Sequence, residues 1–116
     1  MKQMETKKIA IPIENNLLCA HFGHAQHFII FETEDDQIIS ENTLKPPPHE
    51  PGVLPQWLSN LGVTNLIAGG IGQRAISIFN SFGIEVIFGV PSKSPKELVT
   101  EYLDNKIQAG DNLCDH

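Results

Sequence analysis

Basic side chains are scarce in this chain. Eight lysines and arginines stand against fourteen aspartates and glutamates, Arg74 is the sole arginine, and the formal net charge is -6. A surface of that sign offers no basic stripe to nucleic acid and no attraction to an anionic membrane. Long apolar runs are missing too. Residues 9–13 and 28–31 are the longest, far short of a bilayer span, so no transmembrane helix is expected. The opening residues, Met1-Lys-Gln-Met-Glu-Thr-Lys-Lys8, lack the apolar segment of a secretory signal, which points to the cytoplasm. Cysteine is down to two, Cys19 and Cys114. In a reducing compartment these read as thiols or ligands rather than as a Cys19–Cys114 disulfide. No G-x-S-x-G motif is present, and no group orients a Cys–His nucleophilic pair, so no catalytic set is expected.

What the chain does have is concentrated. Cys19-Ala-His21-Phe-Gly-His24-Ala-Gln-His27 holds one of the two thiols and three of the five histidines. The other thiol stands in Asn112-Leu-Cys114-Asp-His116, so Cys-x-His occurs near each end. Thiolate and imidazole together suit zinc, copper(I) or iron–sulfur chemistry and not magnesium or calcium. Gly23 permits the bend that would let His21 and His24 share an ion, while His27, first in a strand, is the weakest member. If the tail folds back, Cys19, His21, Cys114 and His116 complete a Cys₂His₂ set, the ligand count of a closed site. His49 lies in Lys45-Pro-Pro-Pro-His49-Glu-Pro-Gly52, where proline rigidity would hold it at low entropic cost. The competing reading makes all of these ordinary loop polar groups around one buried thiol.

Hydrophobic patterning gives the fold class. Residues 7–13 read as a buried first strand ended by Pro12, residues 14–26 as a polar loop, and 27–44 as an antiparallel hairpin turning at Glu34-Asp35-Asp36. Leu54, Trp57, Leu58 and Leu61 recur at helical spacing before Gly62. A strand over 64–68, a helix from Gln73 to Gly83 and a strand over 84–88 follow. Ser94-Pro-Lys-Glu97 opens a third helix as a capping box, its stripe running through Leu98, Val99, Tyr102, Leu103 and Ile107 to a stop at Gly110. The order predicts an α/β domain: a mixed five-stranded sheet with about three helices packed on it. One domain over 1–116 is expected, with 1–6 and 111–116 as flexible termini.

Gly69-Gly70-Ile71-Gly72 lies between a strand and a helix, where backbone amides could cradle an anion with help from Arg74. It lacks the tail of a P-loop and the spacing of the dinucleotide fingerprint, and a tight strand-to-helix turn explains its glycines equally well.

Four segments carry a family resemblance: Lys8-Ile-Ala-Ile-Pro12, Ala20-His-Phe-Gly-His24-Ala-Gln-His-Phe28, Leu66-Ile-Ala-Gly-Gly-Ile-Gly-Gln-Arg-Ala75 and Gly83-Ile-Glu-Val. Over roughly residues 7–109 the chain resembles the dinitrogenase iron–molybdenum cofactor biosynthesis family, which includes NifX-type carriers and the C-terminal domain of NifB-type proteins. The resemblance implies a ribonuclease H-like three-layer fold and a non-catalytic role. That role is binding iron–sulfur or iron–molybdenum cluster precursors for delivery or storage, with cluster donor and acceptor proteins as partners. By position, His21 and the glycine loop at 69–72 line the implied site, and Cys19, His24 and His49 lie in the same loops. Many relatives have arginine where this chain has His24, a change that favours a metal over an anionic cluster. The Cys114/His116 tail lies outside the resemblance. Three readings stand at this point: a metallocluster carrier, a single zinc-type ion held by both Cys-x-His pairs, and a small-anion or interaction domain using Gly69, Gly70, Gly72 and Arg74. A homodimer is compatible with each.

Overall fold

Thr6–Glu14 forms β1, and its residues explain its central place in the sheet. Ile9, Ala10 and Ile11 are fully buried, and both faces of the strand are covered, which requires the near-continuous apolar run found there. The computed structural model describes residues 6–48 and 52–107. On one side of β1 lies antiparallel β3 (His27–Glu34), itself paired with β4 (Gln37–Leu44). On the other side lie parallel β5 (Asn65–Ile67) and then parallel β6 (Glu85–Ile87). The order across the sheet is β4-β3-β1-β5-β6.

Alternation of side chains divides the core in two. Ala10, Phe28, Ile30 and Leu66 meet α1 (Val53–Asn60) and α2 (Gln73–Ser81) on one face. Ile9, Ile11, Phe31 and Ile67 meet α3 (Pro95–Leu103) on the other. Helices on both faces of a mixed sheet make the three-layer, ribonuclease H-like α/β architecture expected from the sequence.

Pro12 does not end β1; it pairs with Phe28 in the ladder. Its carbonyl accepts from the Cys19 N–H at 2.9 Å, so its nitrogen faces the same side, beyond the Ala10–Leu66 end of the β5 pairing. The missing N–H therefore costs one rung at the end of the short β1–β2 pairing and none of the β1–β3 ladder, which is why an interior proline is tolerated. The expected loop over 14–26 contains a further strand. β2 (Leu17–Leu18) folds back on Ile13 and Glu14 through Asn15 and Asn16, whose φ values are 55° and 67°. Asp35 and Asp36 do the same between β3 and β4, at 49° and 66°. Both are two-residue turns of the primed kind, built without glycine because Asn and Asp tolerate the left-handed region.

Two expectations about α3 need correction. Ser94 occupies the N-cap position but its side chain makes no capping bond, and Pro95 presets the first helical turn instead. The helix then ends at Leu103, well before Gly110. Asn105 takes φ 59°, the Lys106 N–H donates to the Glu101 carbonyl at 2.7 Å, and the Asn105 N–H donates to that of Tyr102 at 3.1 Å. That pair of bonds is a Schellman stop with asparagine in the glycine position.

Candidate functional site

β1, β5 and β6 are parallel and release the chain at the same rim of the sheet, where open α/β sheets place their ligands. Three loops meet there: residues 15–26, 68–72 and 88–94. Hydrogen bonds sew them together. Gly70 N–H donates to Ala20 C=O at 2.7 Å and Phe22 N–H to Gly70 C=O at 2.8 Å, while Gly89 N–H donates to Gly69 C=O at 2.8 Å. Leu18 N–H reaches the Lys93 carbonyl at 3.0 Å, and the Ser92 hydroxyl donates to Leu18 C=O at 2.7 Å.

These contacts give the glycines distinct duties. A Cβ on Gly69 would stand 2.9 Å from the carbonyl oxygens of both Cys19 and Ala20, so backbone approach excludes any side chain. The Gly70 amide is already engaged by Ala20. Gly72 sits at the N-cap of α2 in extended conformation, and a methyl group there would meet nothing within 4 Å. Arg74 is exposed one residue into that helix. Gly69 and Gly70 do line a cleft of about 220 Å³, walled on the far side by residues 89–92. Gly72 and Arg74 are not among its walls. The 88–94 loop is the part of the rim that sequence reasoning missed; its position directly after a third parallel strand was the available signal.

The imidazoles are placed by a single turn. Phe22–His24 is one turn of 3₁₀ helix, and Phe22 anchors it in edge contacts with Phe28 and Phe79, at ring distances of 5.9 Å and 5.5 Å. With three residues per turn, positions i and i+3 eclipse, so inward Phe22 leaves His21 and His24 side by side. Their rings are 5.5 Å apart and inclined at 63°, and both residues are exposed. Gly23 makes this bend without a positive φ and without crowding, so the turn does not depend on glycine.

Cys19 lies beneath the turn. Its residue exposure is 1%, and its Sγ donates to the His21 carbonyl at 2.8 Å. Burial pushes the thiol above its ordinary value, with the backbone of His21 and His24 pulling less strongly the other way. It is a free thiol. His27 is exposed at the start of β3, opposite Ile13. Among the described residues no three His, Cys, Asp or Glu side chains stand close enough to hold an ion; the structure brings together His21 and His24 only. His49, Cys114 and His116 lie outside the described residues, and so does half of the Cys₂His₂ set.

The rim thus joins small, uncharged residues to a pair of exposed imidazoles at the edge of an open, mixed α/β sheet. Residues 6–105 match the family described as dinitrogenase iron-molybdenum cofactor, and the chain belongs to that family. An uncharacterized protein of Methanocaldococcus jannaschii is 35% identical over 111 residues, covering 91% of this chain and 93% of that one. The crystal structure of PH0822 superposes with a TM-score of 0.82 at 28% identity, over 88% of this chain and 93% of the other. The apo form of the orange protein from Desulfovibrio gigas shares the fold, with a TM-score of 0.74 at 20% identity over 91% and 94% of the two chains. No helix among the described residues is long and apolar enough to cross a membrane.

Proposed function

We propose that this protein is a non-catalytic accessory that binds an iron–sulfur or iron–molybdenum cluster precursor as cargo and passes it on. The observation that carries the reading is the exposed His21–His24 pair at the rim, next to a cleft walled by backbone and small neutral residues. Imidazole is a borderline ligand that accepts iron, zinc or copper. Four protein ligands would close a structural site, whereas two exposed ones leave the remaining positions to the cargo's own sulfides and allow release. Membership of the iron–molybdenum cofactor family supports the same class of cargo. Cluster donor and acceptor proteins in the cytoplasm follow from the role, and the protein is compatible with acting as a homodimer.

Anaerobic reconstitution of untagged protein with iron and sulfide tests it. Visible absorbance and bound iron are expected in the wild type and are expected to be lost in the His21→Ala/His24→Ala double variant. A colourless, metal-free wild type would sink the reading. A single zinc per chain, lost with the same pair, would favour the single-ion alternative, and the 112–116 deletion then tells whether the tail supplies the missing ligands.

A further inference from the structure

The Cys19 side chain is buried away from solvent, yet its thiol bonds to the turn that carries both imidazoles. We infer that Cys19 is a positioning residue: its S–H, by holding the His21 carbonyl, fixes the 3₁₀ turn and with it the spacing of His21 and His24. This rests on the proposed function only in taking that pair as the face that meets a metal.

The geometry is specific. The His21 carbonyl receives two donors, the His24 N–H at 2.9 Å and the Cys19 S–H at 2.8 Å. The first bond closes the turn; the second sets the orientation of the peptide plane that the turn closes on. Other contacts hold this loop as well, among them the Ala25 N–H, which donates to the Phe22 carbonyl at 3.3 Å. Ala20 C=O and Phe22 N–H are tied to Gly70, and the Phe22 ring is wedged between Phe28 and Phe79. His21 occupies the N-cap position of the turn and supplies no side-chain cap of its own. A three-residue turn with no cap is marginal by itself, since short 3₁₀ segments have poor hydrogen-bond geometry. A weak donor that needs no second partner suits such a dry position, where an unsatisfied polar atom would be costly.

Cys19→Val and Cys19→Ser, made in the full chain, separate this role from ligation. Valine fills the space without a donor; serine restores one. Two readouts are used: hydrogen exchange of the His24 amide, and affinity for cobalt(II) added as the metal alone. In Cys19→Val the exchange is expected to rise and cobalt affinity to fall, each by about tenfold, the scale of one lost hydrogen bond. Cys19→Ser is expected to stay within about threefold of wild type in both. Should valine prove too large to fold, Cys19→Ala is compared with Cys19→Ser instead. Exchange in Cys19→Val equal to wild type overturns the inference. So does a Cys19→Ser variant as weak in cobalt binding as Cys19→Val, because the sulfur would then be a ligand. If wild type binds no cobalt, the proposed function suffers while amide exchange still decides this point.

Discussion

A methyl group at Gly69 would press on two carbonyl oxygens at 2.9 Å, both belonging to backbone that is itself held in place. Gly69→Ala is therefore expected to cost about 1–3 kcal/mol in chemical denaturation, the usual range for overpacking a site that cannot yield. Gly72→Ala, with open space around it, should cost about 1 kcal/mol or less, the scale of a changed helix cap. The sequence makes plain that residues 69–72 need glycine somewhere. It cannot say why, because the oxygens that forbid a side chain at Gly69 belong to Cys19 and Ala20, far away in the chain. Cys19 is illegible for the same reason. A Cys-x-His spelling advertises a ligand, but whether the thiol faces the rim or the core depends on how β2 folds back. In a Cys114→Ser background, thiol reagents should label Cys19 only slowly in native protein and rapidly after denaturation. Fast native labelling would contradict its burial.

At the scale of elements, the helices were the most readable. The apolar stripe and Gly62 place α1 within a residue or two, because burial of one face is a purely local pattern. α3 is the instructive exception. Ile107 continues its stripe and does pack against the same side of the core, yet it does so after the chain has left the helix at Asn105. Apolar spacing reports which side a residue faces and not the conformation that takes it there. β2 escaped because it is two residues long, below the length at which alternation can be seen. The Asn15-Asn16 pair was the only local hint. The Asp35-Asp36 turn offers a test of the strain in these hairpins. Asp36 holds φ 66°, where glycine has no Cβ penalty, so Asp36→Gly should stabilise the protein by about 0.5 kcal/mol after the entropy that glycine loses. A lower melting temperature in that variant would show the turn to be unstrained.

Over the whole molecule, the lower end of the sheet is organised by a cation that the composition makes rare. Lys8 Nζ donates to Leu61 C=O at 2.7 Å and lies 3.2 Å from Glu32, joining β1, β3 and the end of α1. The Lys8 hydrogen bond, and after it the Ser40 hydroxyl, holds the Glu32 carboxyl below its usual value. A carboxyl lowered in the folded state contributes above its unfolded pKa and loses that contribution as pH falls through the folded one. The stability difference between wild type and Glu32→Gln should therefore shrink as pH drops from about 6 to about 3, and the half-buried, solvent-screened position of Glu32 keeps it small. A gap that widens on acidification would reverse the assigned sign. The layer architecture was legible from element order, since alternating α and β demands parallel strands and right-handed crossovers. The family resemblance put the histidine loop beside the glycine loop, as the His21–Gly70 bridge does; that residues 88–94 join them was not legible.

The Ser92 hydroxyl reaches the Leu18 carbonyl across 74 positions of chain. A polypeptide still emerging from the ribosome has made the histidine-bearing loop long before it has made that clasp. The rim around the histidine-bearing loop is thus complete only once β6 and the segment after it have docked.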